Sequence, residues 1–246
     1  GKILAKTDVK KGLDKLTIEL FSPTLSRLGW NKKNKEKNTD ALLRSLTISM
    51  LGEAGDKKVI AEAKKRFSGI LKGAHVDPDI RGAVYRIAML SGGLKEYQAL
   101  VARYKKEHLH EEKNRIGNAL GHSQNPKVLK LLCEFALSKN VRPQDTVGIL
   151  SSVGVNPMGR DIWWNFIVKN WKTMVSRYGE GGLTLGRAVQ AISSSAEEKH
   201  FKSFKAFFKT HEAPGAKRAI EQVLERLEGN ILWLKRDRKN IERFLK

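Results

Sequence analysis

Apolar residues recur along this chain at intervals of three and four, with polar residues filling the positions between. In NPKVLKLLCEFALSKN, Val128, Leu131, Leu132 and Phe135 stand at i, i+3, i+4 and i+7, which puts them on one face of a helix. Ile220, Val223, Leu224, Leu227, Ile231 and Leu234 continue the same arithmetic over several turns. Nothing reads as a ladder of alternating strands, so the pattern predicts helices almost throughout. The helix ends are marked as well. Asn125 can cap the helix that follows it, and Pro126 sits in a first turn where no amide donor is missed. Thr39-Asp40, Asp56, Asp79 and Asp145 supply further starts. Gly29, Gly73, Gly121 and Gly179 follow helical stretches, where a left-handed stop suits glycine.

A loose repeat runs through the helices. MLGEAGDKKVIAEAKKRF, MLSGGLKEYQALVARY, ALGHSQNPKVLKLLCEF and SVGVNPMGRDIWWNFIVKNW share one plan. Each ends a helix on small residues, turns through Gly or Asn-Pro, and begins an amphipathic helix with an aromatic near its end. The turns recur every roughly 30–40 residues, the length of a helical hairpin in α-solenoids. The expected architecture is all-α: one right-handed α-solenoid domain over 1–246, built of about six to seven stacked antiparallel hairpins. Such an array favours binding along an extended surface over chemistry in a compact pocket.

Composition supports a folded chain, with 40% hydrophobic and 30% charged residues. No apolar run approaches the ~20 residues needed to span a bilayer, and GKILAKTDVKKG lacks the apolar stretch of a secretory signal. The sole cysteine, Cys133, lies in an apolar stretch; it reads as a small buried side chain in a reducing, cytoplasmic setting. The charge changes the picture more. Lys and Arg number 47 against 26 Asp and Glu, a net +21, which raises polyanions as partners. The densest basic runs, NKKNKEKN (31–38) and KRDRKNIER (235–243), each include acids. Solvated helix faces are the plainer account of them.

Local chemistry is sparse. HLHEEKNR opens the zinc-peptidase signature H-E-x-x-H with His110 and Glu111, but position 114 is asparagine. His108 and His110 are two apart, roughly 200° around a helix, so the stretch reads as a helix start with Glu111 and Glu112 in its first turn. Ser151 and Ser152 lack the nucleophile elbow. His75, His122, His200 and His211 are isolated along the chain and show no metal-ligand spacing. GEGGLTLG (179–186) is a glycine-rich turn without phosphate-loop spacing. Of the aromatics in WWNFIVKNW, Trp163, Phe166, Ile167 and Trp171 share a stripe that suits core packing, and Trp164 lies off it.

Eight blocks follow one another in a familiar order: LSRLGW, TDALLRSL, AGDKKVIAEAKKRF, IRGAVY, EEKNRI, VRPQDTV, KAFFKTHEAPGAKRAIEQVLE and WLKRDRKNIERFL. Together they resemble the C-terminal helical domain of gluzincin-type zinc aminopeptidases, most of all the puromycin-sensitive members. The resemblance implies a HEAT-like domain that closes over a separate catalytic domain, with its first hairpins lying before Gly1. Zinc would belong to that catalytic domain, because neither H-E-x-x-H nor G-x-M-E-N occurs in this chain. It further implies no catalytic, cofactor or metal residue here. The partners would be peptide substrates and the catalytic domain, with no membrane. His122 falls where some relatives place a basic residue that meets the peptide carboxylate, and Arg187 matches a basic position in puromycin-sensitive members. The rival expectation is a nucleic-acid-binding helical repeat with Lys and Arg gathered on its concave face.

Overall fold

Of the expected helix-start residues Asp56 stands at the cap, whereas Thr39-Asp40, Asp79 and Asp145 fall inside the first turns of their helices. The computed structural model describes residues 2–5, 7, 9–179 and 183–245. Among them are thirteen α-helices and two 3-10 segments, and no strand. The helices are α1 (Lys10–Leu28), α2 (Asn38–Glu53), α3 (Lys57–Leu71), α4 (Pro78–Ser91), α5 (Leu94–Lys106), α6 (His110–Leu120), α7 (Pro126–Leu137), α8 (Pro143–Gly154), α9 (Arg160–Lys169), α10 (Trp171–Tyr178), α11 (Leu183–Val189), α12 (Glu198–Phe208) and α13 (Lys217–Phe244). The 3-10 segments are Gln190–Ser194 and Pro214–Ala216. The fold is all-α.

Asp56 caps α3, its carboxylate accepting from the Val59 amide. At α4 the cap is Asp77, not Asp79, which falls inside the first turn. The correction follows from Pro78, which takes the first helical position and moves the cap one residue before it. Asp145 likewise sits within the first turn of α8 behind Pro143. Gly29, Gly73 and Gly179 take the positive φ that glycine accepts without strain, whereas Gly121 keeps right-handed angles (φ −69°). Of the glycine-rich stretch 179–186, residues 180–182 lie outside the described residues, and α11 begins just after them.

The chain divides into two compact units. Among the described residues, the first comprises Val9–Asn125 with Leu245, and the second comprises Pro126–Phe244 with 2–5 and 7. Within the first unit, α1 pairs with α2, α3 with α4 and α5 with α6. The second helices then stack in a row, α2 on α4 and α4 on α6. The first helices α1, α3 and α5 thus form one layer, and α2, α4 and α6 the other. Close approach within the second layer needs Gly52, where an added Cβ would lie 2.4 Å from the Ile87 side chain. The core here includes Ile48, Leu51, Ile80, Val84, Ile87 and Leu100, all buried.

The second unit repeats this plan. Helix α7 pairs with α8 and α12 with α13, while α8 packs on α11 and α11 on α13. On α7, Val128, Leu129, Leu132, Cys133, Phe135 and Ala136 are buried; Leu131 is half-buried at the edge of that face. Burial pushes the Cys133 thiol up to about 12, so it remains a protonated core side chain. The long α13 buries Val223 and Leu227; its other apolar positions are half-buried or exposed.

Candidate functional site

Each unit contains one of the two sequence-predicted site residues. In the first unit, His122 stands in the turn that closes α6, its amide donating to the Ala119 carbonyl at 3.0 Å. Its Nδ1 lies 3.9 Å from Oε1 of Glu53, the last residue of α2. The same oxygen accepts from Arg86 Nη1 of α4 at 3.0 Å. Three helices of the stacked row therefore bring an imidazole, a carboxylate and a guanidinium together. Glu53 and Arg86 are each 38% exposed, so their pairing is solvent-screened and open to competition by another carboxylate. Arg86 was not singled out in the sequence. Its signal was a half-exposed basic residue on an otherwise buried amphipathic helix, which periodicity alone does not separate from a solvated face.

In the second unit, Arg187 is exposed in the last turn of α11. Among the described residues it has no hydrogen-bond or ion-pair partner.

The stretch that resembled half a zinc site is a helix start, as expected, yet its two acids differ. Glu111 is exposed, and Glu112 is 2% exposed, turned toward α4. Glu112 accepts from the Tyr85 hydroxyl at 2.7 Å and pairs with Arg81 at 3.1 Å and with Arg115. Burial first, and then the hydrogen bond to Glu112, push the Tyr85 phenol well above its ordinary range. The hub joins α4 to α6. Among the described residues, no group of three or more His, Cys, Asp or Glu is placed to hold a metal ion, so the side chains here do not fit a zinc centre.

A constellation not visible along the chain appears in the second unit. Ser195 Oγ lies 2.7 Å from His200 Nδ1, and His200 Nε2 lies 2.8 Å from Asp161 Oδ1. A carboxylate only accepts, so Nε2 carries the proton and Nδ1 receives the Ser195 hydroxyl. Serine, histidine and aspartate in that order have the connectivity of an acyl-transfer triad. The serine cannot serve as nucleophile: it has no exposed surface, and its oxygen already accepts from the Glu197 amide at 3.1 Å. Arg160 and Asn230 fix the same turn through the Ser194 carbonyl and the Ser193 and Ser195 carbonyls respectively. The three residues are a structural clasp that ties the start of α12 to α9. Sequence reading left His200 isolated because Asp161 lies thirty-nine positions away.

Trp164 also finds its use inside. It packs at 5.2 Å from Phe204 and 5.5 Å from Phe207, while Trp171 approaches Phe208 at 5.2 Å. The residue off the expected stripe therefore faces α12. It is buried and offers no platform for a base or peptide.

The chain matches the model of the family described as the ERAP1-like C-terminal domain over residues 1–229. It is similar to aminopeptidase M1 of Arabidopsis thaliana, 29% identical over 236 residues covering 94% of this chain and 27% of that protein. Glutamyl aminopeptidase of Sus scrofa is 30% identical over 236 residues, covering 93% of this chain and 24% of that protein. That of Bos taurus is 28% identical over 233 residues, with 93% and 24% covered. The chain spans about a quarter of the length of these relatives.

Proposed function

Because the chain belongs to the ERAP1-like C-terminal domain family, we propose that it is the non-catalytic domain of a zinc aminopeptidase that removes N-terminal residues from peptides. In this reading the domain encloses the substrate chamber, docks on the catalytic domain and receives the distal part of the peptide. His122, with Arg86 beside it, and Arg187 contact the peptide tail. The observation that carries the reading is the family match over 229 residues, joined to relatives that are aminopeptidases about four times as long. Zinc and the reacting water belong to the catalytic domain; this chain supplies shape and charge. A cytoplasmic setting accords with a single, buried Cys133 thiol.

The test uses the full-length aminopeptidase with peptides of graded length, each as the free acid and as the C-terminal amide. His122→Ala and Arg187→Ala raise KM for free-acid peptides, leave amides unaffected, and spare short chromogenic substrates that do not reach this domain. Equal effects on acids and amides would remove the carboxylate-contact role. Zinc-dependent turnover by the 246-residue chain alone would overturn the non-catalytic assignment.

A further inference from the structure

Of the two helical layers of the first unit, only one carries an excess of positive charge. The first-helix layer, α1, α3 and α5, carries thirteen Lys and Arg against four Asp and Glu, an excess of nine. The second-helix layer, α2, α4 and α6, carries five against five. Solvated helix faces of mixed charge would not sort in this way.

Within the basic layer, α3 is the most regular element. Lys57 and Lys58, Lys64 and Lys65, and Lys72 at the C-cap repeat at intervals of seven residues, and all are exposed. Seven residues are nearly two turns, so the lysines form one stripe with steps of about 10.5 Å, extending ~22 Å. Exposed Ala61 and Ser68 lie between them and leave room for close approach. Among the described residues, Lys57, Lys58, Lys65 and Lys72 form no ion pair or hydrogen bond. The acids nearby are withdrawn. Glu62 accepts from Arg66 Nε at 2.8 Å, and Arg66 stacks over Trp30 and donates to Asn31, which fastens the 29–37 connector beside α3. That connector exposes Lys32, Lys33, Lys35 and Lys37, while Glu36 turns inward onto Arg44, its side chain 5% exposed.

We propose that the lysine stripe of α3, extended by the 29–37 connector, binds the phosphate backbone of nucleic acid without reading its sequence. A linear row of ammonium groups fits a linear polyanion. A duplex presents one phosphate per ~1.7 Å of axis, so no particular register is required. A bilayer is the poorer fit, because the apolar face of α3 that would insert, Val59, Ala63, Phe67 and Ile70, is already buried in the unit. An acidic peptide offers at most one charge per ~3.3 Å of extended chain, about half the density.

The test measures binding of the 246-residue chain to a labelled mixed-sequence duplex, with polyglutamate and phosphatidylserine vesicles in parallel arms. The five stripe lysines alone contribute about −4.5 to the log–log salt slope, a roughly 500-fold fall in affinity between about 50 and 200 mM salt, and contacts from the connector steepen it further. Replacing Lys57, Lys58, Lys65 and Lys72 by Gln flattens the slope by about four, and replacing them by Arg preserves it. Removing equal charge from the second unit, at Lys130, Lys139, Lys169 and Lys209, leaves the slope unchanged. All these positions are exposed, and a thermal melt checks that each variant is folded. Equal loss in both charge-removed variants would reduce the effect to net charge and overturn the proposal. Absence of duplex binding at low salt, or preference for vesicles or polyglutamate, would overturn it too.

Discussion

The two units share a hairpin plan and hold it with different chemistry. In the first, the stacked pair α4 and α6 is joined by a polar hub: Tyr85, Arg81 and Arg115 all meet the one buried carboxylate of Glu112. In the second, α9 and α10 are joined to α12 by five aromatic rings, Trp164, Trp171, Phe204, Phe207 and Phe208, and by the Asp161–His200–Ser195 clasp. A repeat seen as helix, turn, helix therefore specifies spacing and leaves the joint to local side chains. The difference also predicts how each unit fails. Aromatic packing loses area when cut, whereas a polar hub loses compensation and strands its charges.

The largest effect should come from the aromatic joint. Trp164→Ala removes a buried indole from four ring neighbours and is expected to cost about 4 kcal/mol. A urea melt measures the loss, and amide hydrogen exchange locates it in α9, α10 and α12. Equal deprotection of α4 and α6 would break the comparison. Next is the hub: Glu112→Ala leaves Arg81 and Arg115 facing each other without their carboxylate and should cost about 3 kcal/mol. Tyr85→Phe removes one neutral donor and should cost only about 1 kcal/mol. If the two substitutions cost the same, the joint is a tyrosine hydrogen bond rather than an ion-pair hub. Gly154→Ala falls between these two, at about 2 kcal/mol: its Cβ would lie 2.6 Å from Ala191 Cβ and 2.9 Å from the Trp163 ring, neither able to swing away.

Much of this was legible in the sequence, and the gaps have physical reasons. Periodicity located the helices because burial on one face is a local, repeating demand. The α7 pattern reached the right face and misplaced only Leu131, at its edge. Glycine stops were predicted where a positive φ occurs, at 29, 73 and 179; Gly121 differs because a right-handed turn follows α6. Asp161, His200 and Ser195 were invisible as a group, since their meeting depends on how α12 returns to α9. The same holds for Glu53, Arg86 and His122, which share no helix. Glu112 shows the limit from another side. Its place in a first turn was evident, but its neighbour Glu111 is exposed while it is buried, a distinction set by the packing of α4.

The finest contrast between the joints is their response to acid. His200 is buried against α9, with Asp161, Arg160, Glu197 and Lys199 as the charged groups around it. Burial disfavours its cation, and this outweighs the attraction of Asp161 and Glu197, so its pKa lies below the ordinary histidine value of 6.5. The folded state thus binds the proton less readily than the unfolded chain. The contribution to stability is fully present above about pH 6.5 and is lost as pH falls through the lowered folded value. Protonation would also put a second N–H against Ser195 Oγ, which would have to turn its own hydrogen elsewhere. Burial works to raise the Asp161 carboxyl, but the hydrogen bonds and charge attraction of Lys199 and His200 together outweigh it and hold it below its ordinary range, so its loss belongs to a more acidic window, below about pH 3.8. Melts between about pH 7.5 and 5 should show a stability slope that flattens in His200→Gln, while Glu112→Ala keeps it. An unchanged slope in His200→Gln would place the acid response outside the clasp. A slope that vanished in both variants would mean that the aromatic and polar joints are not independently titrated.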